Sequence, residues 1–102
     1  EYFYCLYLNN KKELIERKLL FIGTLNKSLV HPREIFKEAY KLSASSIVCL
    51  HNHPSGDLTP SKNDIELTDS LVKIGELNKI PIIDHLIITE KGYFSFYENM
   101  RK

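Results

Sequence analysis

Tryptophan is missing from the 102 residues, methionine occurs once, and there are only two Cys, four Gly and four Pro. So little Gly and Pro excludes collagen-like and low-complexity chains, and two thiols are too few for the disulfide framework of a small secreted scaffold. No apolar stretch runs beyond about ten residues, well short of the roughly 20 that span a bilayer, so no membrane segment is expected. Dense basic runs are also lacking: 14 Lys and Arg stand against 13 Asp and Glu, a net charge of +1. That removes the electrostatic footprint of a nucleic-acid binder, and no direct nucleic-acid contact is expected. Two thiols without a secretory leader fit the reducing cytoplasm, which is the expected location. What remains, 43% apolar and 26% charged residues, describes one small globular domain with a modest core. Residues 1–8 already read as a strand, and the chain is expected to be a piece of a longer protein.

Residues 2–8 are rich in aromatic and branched side chains, and Asn9-Asn10-Lys11-Lys12 supplies a turn before a second run over 14–22, which predicts a hairpin. Gly23-Thr24-Leu25-Asn26 breaks that run, and a short Ser28-Leu29-Val30 stretch follows. Pro32 sits where the first turn of a helix tolerates it. The helix is predicted over 33–42, with Ile35, Phe36, Ala39 and Leu42 on one face. Residues 46–50 are nearly all apolar and read as a strand buried on both faces, ending at His51. A second helix is predicted over 61–77, with Gly75 a weak spot near its end. Strands over 82–88 and 93–96 flank a Glu90-Lys91-Gly92 turn. The order ββ, α, β, α, ββ predicts an α+β or mixed α/β domain, a central sheet flanked by helices, without the repeating βαβ series of a Rossmann domain.

The chemistry concentrates between His51 and Asp64. Strand alternation places residues i and i+2 on one face, so His51 and His53 can aim both imidazoles at one ion while Asn52 points away. A Pro54-Ser55-Gly56-Asp57 loop can then return Asp64 at the start of a helix. Two His and one carboxylate are ligands that zinc accepts in an open site, where it lowers the pKa of water to about 7. The competing reading makes the histidines surface residues and Ser61-x-x-Asp64 a helix capping box; a box and a metal ligand can coexist. Cys49 reads as buried packing and Asp57 as a turn residue. Asp84-His85 reads as a pair at a strand edge, with support of the site as the alternative.

The full pattern, His51-x-His53, seven residues, then Ser61-x-x-Asp64, resembles the zinc-binding signature of the JAB/MPN (JAMM) metallopeptidase family. The embedded His-Asn-His-Pro-Ser-Gly, with Gly23-Thr24-Leu25, His31-Pro32-Arg33-Glu34 and Asp84-His85, looks like its bacterial RadC branch, whose members were named for DNA repair. The resemblance covers essentially the whole chain. It implies a JAB/MPN-like (cytidine-deaminase-like) three-layer sandwich, here the C-terminal domain of a longer RadC-like protein. It also implies Zn²⁺ on His51, His53 and Asp64, and Ser61 as the donor that steadies the oxyanion, beside its reading as the N-cap. The family further needs a Glu general base on an earlier strand. RadC-type chains are expected to carry it five residues before Gly23, where this chain has Lys18. The nearest carboxylate is Glu16, taken as the candidate base, with an exposed strand residue or hairpin ion pair as its alternative.

Two functions follow as expectations. The first is a zinc metallopeptidase or isopeptidase that attacks an amide carbonyl of a peptide or protein substrate. The second is a non-catalytic or structural-metal JAMM-fold interaction module of a DNA-repair-associated protein, which Lys18 favours. A zinc deaminase would need His-x-Glu with Pro-Cys-x-x-Cys, both absent, and a two-metal nuclease would need a second ligand cluster. Substrate identity and oligomeric state do not follow from the sequence.

Overall fold

The computed structural model describes residues 1–23 and 30–101, with side chains to residue 100. The Thr24-Leu25-Asn26 break and the Ser28-Leu29 part of the predicted short stretch lie outside the described residues. The opening hairpin is made by β1 (Tyr2–Leu8) and β2 (Leu14–Ile22). Its turn is held by Asn9, whose Oδ1 accepts from the backbone N–H groups of Lys11 at 2.9 Å and Glu13 at 3.0 Å. An Asn side chain closes turns in this way by standing in for a backbone carbonyl.

Helix α1 (Pro32–Lys41) starts on Pro32, whose missing N–H is no loss at a helix's first position. It is followed by β3 (Ser46–Asn52), α2 (Lys62–Asn78), β4 (Ile82–Thr89) and β5 (Gly92–Ser95). A π-helical turn (Tyr97–Arg101) ends the described chain and was not anticipated from the sequence. The five strands form one sheet in the order β2-β1-β3-β4-β5, all neighbours antiparallel except β3 and β4. The parallel pair needs a crossover connection, and α2 is that crossover.

The mixed five-stranded sheet with packed helices is the expected α+β arrangement. The third layer of the expected sandwich is not formed by the described residues. One core takes Phe3, Cys5 and Tyr7 of β1 and Ile47 and Cys49 of β3 together with Ile35 and Ala39 of α1 and Leu67 and Leu71 of α2, so both helices lie on the same face. The Tyr7 hydroxyl, beneath α1, donates to the Ile35 carbonyl at 2.8 Å. On the other face Val48 and Leu50 stay partly exposed, so β3 is fully buried on one side rather than two. Among the described residues no helix is long and apolar enough to cross a membrane.

Gly75 is a point of close approach rather than a weak spot. Helix α2 ends with Lys79 in the left-handed region at φ 59°, and the Ile80 N–H returns to the Gly75 carbonyl at 3.0 Å. A Cβ at Gly75 would stand 2.8 Å from the Ile80 carbonyl oxygen and 3.1 Å from the Ile82 nitrogen, both backbone atoms. Gly75→Ala is therefore expected to destabilise the fold by about 1–3 kcal/mol, although alanine is the better helix former. Urea unfolding reads this as a lower midpoint at unchanged slope, and an unchanged or higher midpoint would count against the close approach.

Candidate metal centre

The C-terminal end of β3 lies between β1, where Phe3 faces His51, and β4, where Ile87 does. Alternation along β3 turns His51 into the core, where it is 1% exposed. Asn52 takes the opposite face and accepts the backbone N–H of Tyr2 at 2.6 Å. The chain stays extended one step further, since the His53 N–H donates to the Ile88 carbonyl at 3.1 Å. His53 therefore returns to the face of His51, and their Nε2 atoms stand 3.1 Å apart.

The loop then turns at Gly56, whose φ of 83° suits glycine. Asp57 is a turn residue: its Oδ1 accepts the Thr59 N–H at 2.9 Å. Its carbonyl stands 2.7 Å from His53 Nδ1. A carbonyl only accepts, so Nδ1 carries the proton and Nε2 of His53 presents a lone pair.

Ser61 caps α2 and Asp64 completes a capping box: Ser61 Oγ accepts the Asp64 N–H at 3.0 Å, and Asp64 Oδ2 accepts the Ser61 N–H at 2.8 Å. The same carboxylate reaches both imidazoles, with Oδ1 3.2 Å from His51 Nε2 and Oδ2 3.0 Å from His53 Nε2. Burial pushes the Asp64 carboxyl up, but contact with His51 and the N–H of Ser61 outweighs it and holds the group well below the usual carboxylate range. His51, His53 and Asp64 are thus brought together, and the helix cap is part of what holds the third of them. Ser61 spends a lone pair on the Asp64 N–H, and its hydroxyl proton lies between the Asp64 carboxylate and the adjoining cleft.

One further carboxylate was missed. Glu1 Oε1 lies 3.8 Å from His51 Nε2, and the ligand atoms of Glu1, His51 and His53 all fall within 4.8 Å of one another. The Glu1 backbone is anchored where its carbonyl accepts the Gly23 N–H at 2.9 Å. The available signal was strand alternation: Glu1 shares the face of Phe3, and Phe3 faces His51. A polar cleft of about 320 Å³ opens between Glu1, His53, Ser61 and Asp64. A more apolar hollow lined by Tyr2, Tyr4 and Leu50 lies on the sheet face away from the helices and carries no such cluster.

Glu16 is not brought to this cluster. It lies on β2, beyond β1, and faces Tyr7, four residues or about 13 Å along the strand from Phe3. Two bulges in the hairpin shift the register without closing that gap. Lys18 is turned toward α1 instead, with its Nζ 3.3 Å from Glu38 Oε2. Cys49 is buried opposite Cys5, and contact between the thiols together with burial pushes Cys5 well above its ordinary pKa.

His85 corrects the strand-edge reading. β4 is flanked by β3 and β5, and His85 is 1% exposed, stacked on Phe96 at 4.9 Å with Phe3 against its edge at 5.6 Å. Burial, then repulsion by His51, pushes its imidazole down to about 3. Its Nε2 lies 2.7 Å from His51 Nδ1, and its Nδ1 touches the Thr68 hydroxyl. Asp84 faces the other way and holds the start of the final turn, accepting from the Ser95 hydroxyl at 2.6 Å and the Tyr97 N–H at 3.0 Å.

The donor set fits a metal ion. His53 Nε2 is a lone pair, and Asp64 and Glu1 bring only acceptor oxygens, all within a few ångströms of His51 Nε2. Acceptors crowded in this way call for a cation at their centre.

Known proteins carry similar sequences. The RadC-like JAB domain family matches residues 1–101. The UPF0758 protein YsxA of Bacillus subtilis strain 168 is 55% identical over 98 residues, 96% of this chain and 42% of that protein. A UPF0758 protein of Bacillus cereus strain G9842 is 54% identical over 98 residues, 96% of this chain and 44% of that protein. The chain therefore spans less than half the length of these curated relatives.

Proposed function

Because the chain belongs to the RadC-like JAB domain family, we propose that it is a zinc-dependent hydrolase, acting in the cytoplasm on an amide or isopeptide bond of a peptide or protein. The observation that carries this reading is the convergence of His51 Nε2, His53 Nε2 and the Asp64 carboxylate at 3.0–3.2 Å, with the Glu1 carboxylate at 3.8 Å beside them. His51, His53 and Asp64 hold the ion. Bound there, zinc supplies a Lewis acid and a water acidified to near neutrality.

Glu1 replaces Glu16 as the general base. It is the nearest carboxylate outside the three ligands, partly open to the cleft, and its Oε1 can take a proton from the attacking water and return it to the leaving amine. Ser61 donates its hydroxyl proton to the carbonyl oxygen as negative charge develops on it, while its lone pair keeps the helix cap. A groove of about 540 Å³ between residues 52–56 and the β4–β5 turn offers an extended substrate a path past His53. Lys18, the reason for weighing a non-catalytic module, is paired with Glu38 away from the cluster and says nothing about whether a base is present.

Purified at neutral pH without added metal, the protein is expected to carry about one zinc per chain. It is also expected to cleave members of a proteome-derived peptide mixture, read by mass spectrometry as new N-termini, with cleavage lost to a chelator and restored by zinc. A chain with no zinc and no tight uptake of it would sink the reading.

A further inference from the structure

The hydrogen bonds behind His51 have a direction that can be read from one end. Thr68 Oγ1 lies 2.7 Å from the Asp64 carbonyl oxygen, one helical turn back on α2. A carbonyl has no proton to give, so the single hydroxyl proton of Thr68 is spent there. Toward His85 Nδ1, which it also contacts, the same oxygen can then only accept, and Nδ1 of His85 carries the ring proton. His85 Nε2 is left as an acceptor, 2.7 Å from His51 Nδ1, so the proton between the two rings belongs to His51. With that proton on Nδ1, the Nε2 of His51 is the nitrogen left to give a lone pair to an ion held with Asp64 and His53.

We propose that Thr68 and His85 are positioning residues that fix the orientation and tautomer of His51, with its Nε2 lone pair aimed at the metal centre. This rests on the metal reading above and adds two residues to it. One hydroxyl serves two ligands at once: Thr68 reaches His51 through His85, and it grips the backbone of Asp64 directly. The Phe3 and Phe96 rings around His85 hold the relay in place and offer its nitrogens no other polar partner. Hydrogen bonds to the far nitrogen of a ligating histidine commonly set its tautomer and basicity, and losing them weakens metal binding about 10–100-fold.

The test uses the 102-residue chain labelled with ¹⁵N-histidine. Long-range ¹⁵N–¹H correlation spectra, with and without zinc, are expected to place the His85 proton on Nδ1. A proton on Nε2 would overturn the relay without any variant having to fold. Zinc competition against a chromophoric chelator is expected to show Thr68→Val weaker than the parent by about 10–100-fold and Thr68→Ser close to it. Equal affinity in all three would also overturn the proposal. A parent that takes up no zinc instead removes the metal reading, and the His85 tautomer still decides whether the hydrogen-bond chain exists.

Discussion

A chain carrying Asp64→Asn is expected to fold, to start α2 as the parent does, and to lose its zinc. The amide oxygen of Asn can still accept the Ser61 N–H, so the capping box keeps the bond made at 2.8 Å in the parent. What disappears is the negative charge between the two imidazoles. At the Oδ1 position comes an amide NH₂, a donor toward His51 Nε2, which the carboxylate oxygen faces at 3.2 Å. The Asp64 carboxyl is held well below its ordinary range in the folded chain, so its charge stabilises the fold at neutral pH, and the metal-free variant should unfold somewhat below the parent's midpoint. Zinc should raise the parent's midpoint, since a ligand at 1,000 times its dissociation constant stabilises by about 4 kcal/mol, and should leave the variant's unchanged. His51→Ala loses zinc as well, but opens a cavity beneath Phe3 and should also lower the metal-free midpoint. Thermal unfolding with and without zinc, beside metal content, separates these outcomes. An Asp64→Asn chain that still gains several degrees from zinc would remove Asp64 from the ligand set.

The hairpin, both helices and the order of the strands were readable because each depends on local chemistry: alternation in β1, Pro32 opening α1, Ser61 capping α2. His51, His53 and Asp64 were readable for the same reason, since all three belong to one continuous segment whose alternation, turn and cap together bring them to one point. Features that depend on which strands become neighbours were not readable. The apolar run of β3 says that it is buried but not on how many sides. Two adjacent residues of β4 have opposite fates, Asp84 tied to the final turn and His85 buried against His51, and only the β3–β4 register separates them. A fixed offset from Gly23 points to β2 for the base. Pairing instead places β1 next to β3, which leaves Glu16 and Lys18 one strand removed and sets Glu1 beside the cluster.

Glu1→Gln should therefore keep the metal and lose the chemistry. Gln retains the size and the carbonyl oxygen of Glu but cannot take a proton from water. Turnover on a peptide found by the cleavage screen is expected to fall by about 10²–10⁴-fold, the usual contribution of a positioned acid or base. Zinc affinity separates this role from its rival. Glu1 joins the histidines as a third carboxylate or imidazole group within 4.8 Å, so it can be counted as a ligand; a ligand's loss would appear first in metal content. The distances favour the base, because Asp64 lies 3.2 Å from His51 Nε2 whereas Glu1 stops at 3.8 Å, outside the three ligands and open to the cleft from which a water would attack. Glu16→Gln is the matched control: an exposed carboxylate about 13 Å along the sheet should change turnover by less than a factor of two. If Glu16→Gln abolishes turnover while Glu1→Gln turns over normally, the proton leaves by a route that the geometry at the end of β3 does not contain.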